Sequence, residues 1–359
     1  MRQSYRSSTG PLGPQTWAIA LAEAFGLTDY SARASRTTVA RALIYAAALT
    51  RSLSAAARAL ATVGRETLRR ALAAALPTTI EELEDRVIRG LQSALPRRLR
   101  GRAVPVAIDL HLRPYYGHYQ TPGICGGPRK DGARWFWGYA TAVILTPGHR
   151  HTLALIALRR RETPESVVDR VLAQVGRCGI RIRYVLLDRG FYASGVIATL
   201  QRRRLRFIMP MVRRGQATEP FFQRHARGWF EHTIRNRSHR AASVTVRVAA
   251  IPNLDGKPRV YICSEGFHAL PRIVLRYRRR FGIETSYRQL GEALAFTTTR
   301  DARVRLLMVA VALLIRAWWL LDDGKPLGEL RDLLLRWLFA NSRQPVPQTQ
   351  PLPAAPMNQ

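Results

Sequence analysis

The stretch Arg183-Tyr-Val-Leu-Leu-Asp-Arg-Gly-Phe-Tyr192 is the part of the chain around which the fold is best interpreted. Its first half is a short apolar run, Tyr184 to Leu187, which ends at Asp188 and then at a glycine turn. A buried parallel strand presents a single acid at its carboxyl end in this way. An aspartate at a strand end is also typical of a cap for the following segment. Asp188 is therefore a candidate catalytic acid only if partners lie elsewhere in the chain.

The composition predicts a polyanionic partner. The 359 residues include 57 Lys and Arg against 24 Asp and Glu, which gives a net charge of +33. This excess is larger than solubility requires and favours nucleic acid, although the dominance of arginine is equally expected from a GC-rich genome. The three cysteines lack the Cys-x-x-Cys spacing of zinc sites. No signal peptide or membrane-spanning run is found, so we expect no membrane association and a cytoplasmic, nucleoid-associated protein.

Residues 1–100 predict a helical DNA-binding domain that ends at an arginine-rich linker. Between Thr37 and Leu76 the sequence is rich in alanine and helical in period, with Gly64 as the only strong interruption. Residues 54–76 resemble a helix-turn-helix, in which Ser52 or Ser54 caps the first helix and Gly64 ends it in a left-handed conformation. An ordinary helical hairpin with a solvated basic face fits equally well. In the first case the second helix presents three basic residues to a DNA groove: Arg65, Arg69 and Arg70.

Residues 101–211 predict the first part of a catalytic core. The apolar run Val104 to Leu110 carries a second acid, Asp109, and is followed by a long polar segment, His111 to Arg134, that we expect to be a functional loop or lid. A hairpin, a helix, the Asp188 strand, a second helix and a further strand follow. This order predicts an α/β, ribonuclease H-like mixed sheet flanked by helices, in which Asp109 lies beside Asp188.

The rest of the chain predicts three further segments. Short alternating runs over 212–275 indicate a β-rich insertion, which includes Ser243 to Ile251 and Arg259 to Cys263. The segment 276–325 is the second part of the core, where a helix from Phe281 to Ala295 carries Glu284 at the border of its buried face. The last segment, 326–359, predicts a helix followed by a disordered tail.

Asp109, Asp188 and Glu284 form a candidate metal site. Three carboxylates from separate segments supply the oxygen ligands that two Mg²⁺ ions prefer, and they leave positions open for substrate phosphates. The alternative is purely structural, with the two aspartates as caps and Glu284 paired with Arg280 and Arg288 at helical spacing. Four tryptophans in apolar runs likewise suit either the core or stacking on an unpaired base: Trp135, Trp137, Trp318 and Trp319.

The chain resembles the DDE transposases of prokaryotic insertion sequences, in the insertion-sequence-four-like group with a β-rich insertion. The resemblance rests on Asp109-Leu-His-Leu-Arg-Pro-Tyr-Tyr-Gly117, on Asp188-Arg-Gly-Phe191 and on Tyr277-x2-Arg280-x3-Glu284, with weaker support from Thr297-Thr-Thr-Arg300. Gly291 stands where the signature of that group has lysine, and Arg288 is the candidate substitute.

The resemblance implies cut-and-paste transposition, in which DNA is cleaved at the ends of the element and the freed 3′-hydroxyl attacks target DNA. It implies two Mg²⁺ ions, with Mn²⁺ as a substitute, held by the three acids. It also implies DNA contacts from Tyr277, Arg280, Arg288 and Arg300, double-stranded terminal inverted repeats and target DNA as partners, and a homodimer in the DNA complex. The alternatives are a structure-specific nuclease or resolvase on the same fold and a catalytically dead DNA-binding regulator.

Overall fold

The computed structural model describes residues 14–61, 63–235, 243–253, 256–282, 291, 293–321 and 327–339. Two compact units divide the chain. The first comprises Met1–Arg86, Leu290–Thr299 and Arg303–Gln359, and the second comprises Val87–Gln289 and Arg300–Ala302. The division falls within one helix, between Arg86 and Val87. The domain bounds drawn from the sequence follow motifs rather than compactness, and they stay a prediction.

The first unit consists of helices that bury alanine- and leucine-rich faces. They are α1 (Pro14–Phe25), α2 (Arg36–Ala48), α3 (Leu53–Leu60), α4 (Arg65–Ala75), the start of α5 (Ile80–Ser93), α9 (Ala302–Trp319) and α10 (Leu327–Phe339). Helix α9 is buried from Leu306 to Trp318, as expected for a core helix, and the Trp17 and Trp318 rings pack 4.9 Å apart. Within the part of the chain that the structure describes, no helix is both long and apolar enough to cross a membrane.

The helical segment from Thr37 to Leu76 has one more break than predicted. Thr50 adopts a left-handed conformation between α2 and α3, and Ser52 caps α3 by accepting a hydrogen bond from the Ala55 amide at 3.2 Å. The expected role of Gly64 was wrong. Ala61 ends α3 in the left-handed conformation, whereas Gly64 has an ordinary φ of −64° at the start of α4. A left-handed residue does not have to be glycine when the surrounding packing holds the turn.

Among the described residues, a mixed sheet of nine strands lies at the centre of the second unit. Its strands are β1 (Ala103–Tyr115), β2 (Cys125–Lys130), β3 (Ala133–Thr146), β4 (His149–Ala157), β5 (Arg181–Leu186), β6 (Phe207–Pro210), β7 (Gly228–Ile234), β8 (Val244–Ile251) and β9 (Arg259–Cys263). Their spatial order is β2-β3-β1-β5-β6-β9-β8-β7, and β4 pairs with β3. Strand β1 is parallel to β5, which is parallel to β6, whereas the other pairs are antiparallel. The predicted strands of the insertion, β8 and β9, are confirmed and continue this sheet.

Helices cover both faces of the sheet. One apolar cluster joins β1, β3 and β5 to α6 (Pro164–Gly176) and α7 (Ser194–Arg202), and a second joins the opposite face to α8 (Leu270–Arg278). Helix α6 begins at Pro164 after Thr163, whose hydroxyl caps it by accepting from the Ser166 amide. The predicted α/β class, a mixed sheet flanked by helices after an N-terminal helical region, is therefore confirmed.

Two segments differ from the sequence prediction. The expected loop His111 to Arg134 is shorter, because β1 continues to Tyr115 and β2 pairs with β3, which leaves 116–124 as the connection. The last part of the predicted β-rich insertion 212–275, whose bounds stay a prediction, is helical, since α8 begins at Leu270 with a proline in its first turn. The predicted helix from Phe281 to Ala295 and the predicted disordered tail fall largely outside the described residues.

Candidate active site

The register of two parallel strands brings Asp109 and Asp188 together. Ala107 on β1 pairs with Leu186, the last residue of β5. Asp109 lies two residues beyond Ala107, and Asp188 lies two residues beyond Leu186. Residues two apart on a strand project to the same face. Both acids therefore project toward the face that α8 covers, which also carries Ala107 and Leu186 in its apolar cluster.

Arg280 bridges the two acids. It lies in a short 3₁₀ turn, Arg279–Phe281, that follows α8. Its Nη2 donates to Asp109 Oδ1 at 2.7 Å and lies 3.4 Å from Asp188 Oδ2. The two carboxylate oxygens are therefore no further apart than the sum of these distances. Three segments that are distant in sequence, β1, the end of β5 and the turn after α8, meet at one buried cluster of charge.

Asp188 combines the two roles that its sequence position indicates. Its Oδ1 accepts a hydrogen bond from the Gly190 amide at 2.8 Å and caps the turn Arg189–Phe191. Its Oδ2 faces Arg280. The cap fixes the carboxylate while its second oxygen remains available, and the side chain keeps 35% of its surface exposed, against 10% for Asp109.

Burial dominates the electrostatics of the cluster. It raises the pKa of Asp109 to about 6, an increase that Arg280 opposes and the charge of Asp188 reinforces. Burial alone would lower the pKa of Arg280, but the combined charges of Asp109, Tyr277 and Asp188 raise it, so the guanidinium stays cationic. Arg280 Nε is buried and has no hydrogen-bond partner among the described residues. Arg280 is thus a cation held between the two acids, with one donor that no described residue satisfies.

Tyr277 and His111 flank the acids. Tyr277 is 7% exposed, its ring lies 5.1 Å from that of Tyr261, and burial raises its pKa to about 12. His111 follows Asp109 on β1, where burial and then the charges of Arg113 and Lys130 lower its pKa to about 4. At neutral pH the tyrosine keeps its proton and the histidine is uncharged.

The other predicted site residues are placed as follows. Glu284 and Arg288 lie outside the described residues. Arg300 is exposed. In the helical unit, Arg65, Arg69 and Arg70 are exposed on α4, where the Glu66 carboxylate bonds Arg69 at 2.7 Å and Arg70 at 2.9 Å.

The donor set of the cluster fits a hard divalent cation in part. Two carboxylates converge around a positive charge, and carboxylate oxygens are the ligands that Mg²⁺ prefers. Among the described residues no group of three or more His, Cys, Asp and Glu side chains could hold a metal ion. Asp109 and Asp188 thus supply two acidic ligands of the predicted three.

Sequence reasoning did not predict that Arg280 would bridge the acids, because it assigned this residue to contact with DNA. It also did not predict α8, although the local sequence carries a helix signal. A proline stands at the helix start, and apolar residues follow at positions i, i+1 and i+4, namely Ile273, Val274 and Tyr277. A further contact holds the turn after α8: Arg150 Nη1 donates to the Thr146 carbonyl at 2.5 Å, and its Nη2 reaches the Arg279 carbonyl at 3.4 Å. No local pattern around Arg150 indicates this role.

Comparison with known proteins finds a similar fold. The fold is similar to that of the piggyBac transposase in a synaptic complex with hairpin DNA, with a TM-score of 0.50 and 10% identity over 95% of this chain and 73% of the other. No curated protein matches the sequence.

The family model of the transposase DDE domain matches residues 116–316, more than half of the chain. The matched range begins just after the strand that carries Asp109, and it contains Asp188, Arg280 and Glu284. The chain belongs to the transposase DDE domain family.

Proposed function

We propose that the chain is a cut-and-paste transposase of the insertion-sequence-four-like group. It cleaves DNA at the ends of its element and transfers the freed 3′-hydroxyl to target DNA. Its partners are double-stranded terminal inverted repeats and target DNA, bound by a homodimer. Family membership, the net charge of +33 and the likeness to a DNA-bound transposase support this proposal.

One observation carries the proposal: Asp109 and Asp188 converge on the guanidinium of Arg280. Burying two carboxylates close together opposes folding, because they lose hydration and repel each other. A chain whose only task is to bind DNA gains nothing from such acids, since they also repel phosphate. The arrangement is useful where a cation has to be held against a phosphodiester.

Asp109, Asp188 and Glu284 would hold two Mg²⁺ ions, or Mn²⁺ as a substitute. When bound, these ions supply an activated nucleophile and neutralise charge on the transferring phosphate. The chain itself supplies the orientation. The Gly190 amide fixes Asp188, and β1 fixes Asp109. Arg280 pairs with both acids before DNA arrives, and its Nε, which has no hydrogen-bond partner in the described part of the chain, can then contact a phosphate oxygen.

The helical region 1–100 is the proposed DNA-binding domain, with α4 as the recognition helix. The segments 101–211 and 276–325 are the two parts of the catalytic core, separated by the β-rich insertion 212–275. Arg65, Arg69 and Arg70 on α4 are exposed, whereas Leu68 and Leu72 on the same helix are buried, so the three arginines are available for contact with a DNA groove.

Cleavage of the element's own ends tests the proposal. Purified protein with Mg²⁺ should cut DNA that carries the terminal repeats, and Asp188→Asn should abolish cutting while DNA binding persists. Asp169→Asn is a matched control, because Asp169 is a solvent-accessible acid on α6 that pairs with Arg203. Normal cleavage by Asp188→Asn would show that the acids are structural.

A labelled 3′ end separates strand transfer from simple hydrolysis. Joined products support a transposase, whereas cleavage without joining indicates a nuclease or resolvase on the same fold. A protein that binds the repeats but gains no thermal stability from Mg²⁺ and never cleaves them would be a DNA-binding regulator.

A further inference from the structure

A cluster of planar side chains lies on the surface of the sheet unit, apart from Arg280. Trp135 on β3, Tyr119 in the connection 116–124 and Arg160 after β4 contact one another. The guanidinium carbon of Arg160 lies 5.4 Å from the Trp135 ring centre and 5.8 Å from that of Tyr119, and the two rings are 6.3 Å apart. The His118 ring contacts that of Tyr119 in a tilted arrangement, with the ring centres 4.9 Å apart. Tyr119 is 47% exposed, so the cluster presents flat π surfaces to solvent.

A cavity of about 390 Å³ adjoins this cluster, with Trp135 and Arg160 in its wall. Its volume falls within the range of small-ligand sites. The floor is apolar and comes from β1, the residue after β4, α6 and the turn after Asp188: Leu110, Leu112, Leu158, Val167 and Phe191. Asp109, Asp188 and Arg280 are not among the residues that line the cavity, so it is distinct from the acid cluster.

The rim of the cavity is positively charged. Three consecutive arginines, Arg159, Arg160 and Arg161, line it and are exposed. The acid in the wall, Glu162, is already bonded to Arg170 at 2.8 Å and to the Ser166 hydroxyl at 2.9 Å. An apolar floor, a stacking wall and a cationic rim fit a flat, apolar group that carries an anion.

We propose that the cavity and the Tyr119–Arg160–Trp135 cluster bind an unpaired nucleobase of single-stranded DNA, with its phosphate on the arginine rim. The proposal rests on the proposed function for DNA as the substrate. A base within a duplex has both faces covered by its neighbours, whereas an unpaired base offers a face for stacking. Leu110 and Gly190 in the wall adjoin Asp109 and Asp188 in sequence, so the site lies beside the strands that carry the acids.

Three variants address separate parts of the site. Trp135→Ala removes the stacking wall. Arg160→Lys keeps the charge but loses the planar guanidinium. Gly126→Leu fills the cavity, because Gly126 has no left-handed φ and an added Cβ would first meet the Trp135 ring at 3.7 Å. Phe230→Ala is the control, since Phe230 is an exposed aromatic on β7, at the other edge of the sheet from β2 and β3.

The test measures binding of the full chain in EDTA to three labelled DNAs: oligothymidine, an abasic strand of the same length, and a duplex. High salt weakens phosphate contacts and leaves the contribution of the bases. We expect each variant to bind oligothymidine roughly tenfold more weakly, as loss of one stacked base predicts, with duplex binding unchanged within about twofold. The control should match the wild type, and the wild type should bind the abasic strand as weakly as the variants bind oligothymidine.

Two results would overturn the proposal. One is unchanged oligothymidine binding in the folded variants Arg160→Lys and Gly126→Leu. The other is that thymidine monophosphate displaces oligothymidine when the two are present at the same concentration of nucleotide. That result would indicate a site for a free nucleotide. The assay contains no metal and measures no cleavage, so it judges this site even if the chain proves unable to cut its terminal repeats.

Discussion

Replacing Arg280 with glutamine should destabilise the metal-free protein and make its stability strongly dependent on divalent cations. Arg280 is 9% exposed and forms ion pairs with both Asp109 and Asp188. Without it the two carboxylates face each other and lose the cation that pairs with both. Removing one partner of a buried ion pair typically costs about 3–5 kcal/mol.

The structure places the expected loss at the lower end of this range. The Asp109 side chain is 10% exposed, but that of Asp188 is 35% exposed, so water screens part of the repulsion. A loss of about 3 kcal/mol in a unit of this size lowers the melting temperature by roughly 6–12 °C. Mg²⁺ should restore more stability to Arg280→Gln than to the wild type, because the ion no longer competes with the guanidinium.

Thermal unfolding at neutral pH, with EDTA or with excess Mg²⁺, tests both statements. Arg278→Gln is the matched control, since Arg278 lies in the last turn of α8 and is exposed. We expect it to unfold like the wild type under both conditions. If Arg280→Gln melts at the wild-type temperature in EDTA, or gains no more from Mg²⁺ than the control, Arg280 does not act as the internal counter-cation of the acids.

Three further predictions concern other parts of the molecule. Glu66→Gln should tighten duplex binding and steepen its salt dependence, because it releases Arg69 and Arg70. Glu23→Gln, which makes the same change of charge on α1, should have neither effect. Equal effects of the two variants in a salt titration would argue against α4 as the DNA-contacting helix. Gly138→Ala should lower the free energy of unfolding in urea by about 1–3 kcal/mol, because its Cβ would lie 2.5 Å from the Cys125 sulfur, while Gly126→Ala should be near neutral. In EDTA, the raised pKa of Asp109 gives a stabilising contribution that is present below about pH 4 and is lost as the pH rises through about 6. Asp109→Asn should therefore flatten the pH dependence of the free energy of unfolding across that window. An unchanged slope would show that Asp109 is not the group whose pKa is raised.

Local sequence signals predicted most of the elements around the candidate site. The apolar run before Asp188 became β5, and the proline after Thr163 marked the start of α6. Such signals are short-range, because strand periodicity, caps and proline positions depend on residues a few places apart. They failed where packing decided the backbone. The left-handed residue after α3 is Ala61 rather than Gly64, and β1 extends to Tyr115 because β3 supplies pairing partners along its full length.

The sequence by itself determined the class of the protein: an α/β chain with a strong positive charge, and with Asp109 and Asp188 each following a buried apolar run. Only the tertiary structure decided what surrounds these acids. The pairing of Ala107 with Leu186 fixes the register that sets them side by side, and a register shift of one residue would turn one of them to the other face. The placement of Arg280 between them depends on how α8 packs against the sheet, and Trp135 and Trp137 have different surroundings for a similar reason. They lie two residues apart on β3 and project to the same face, but Trp137 is buried whereas Trp135, near the start of the strand, lines the cavity.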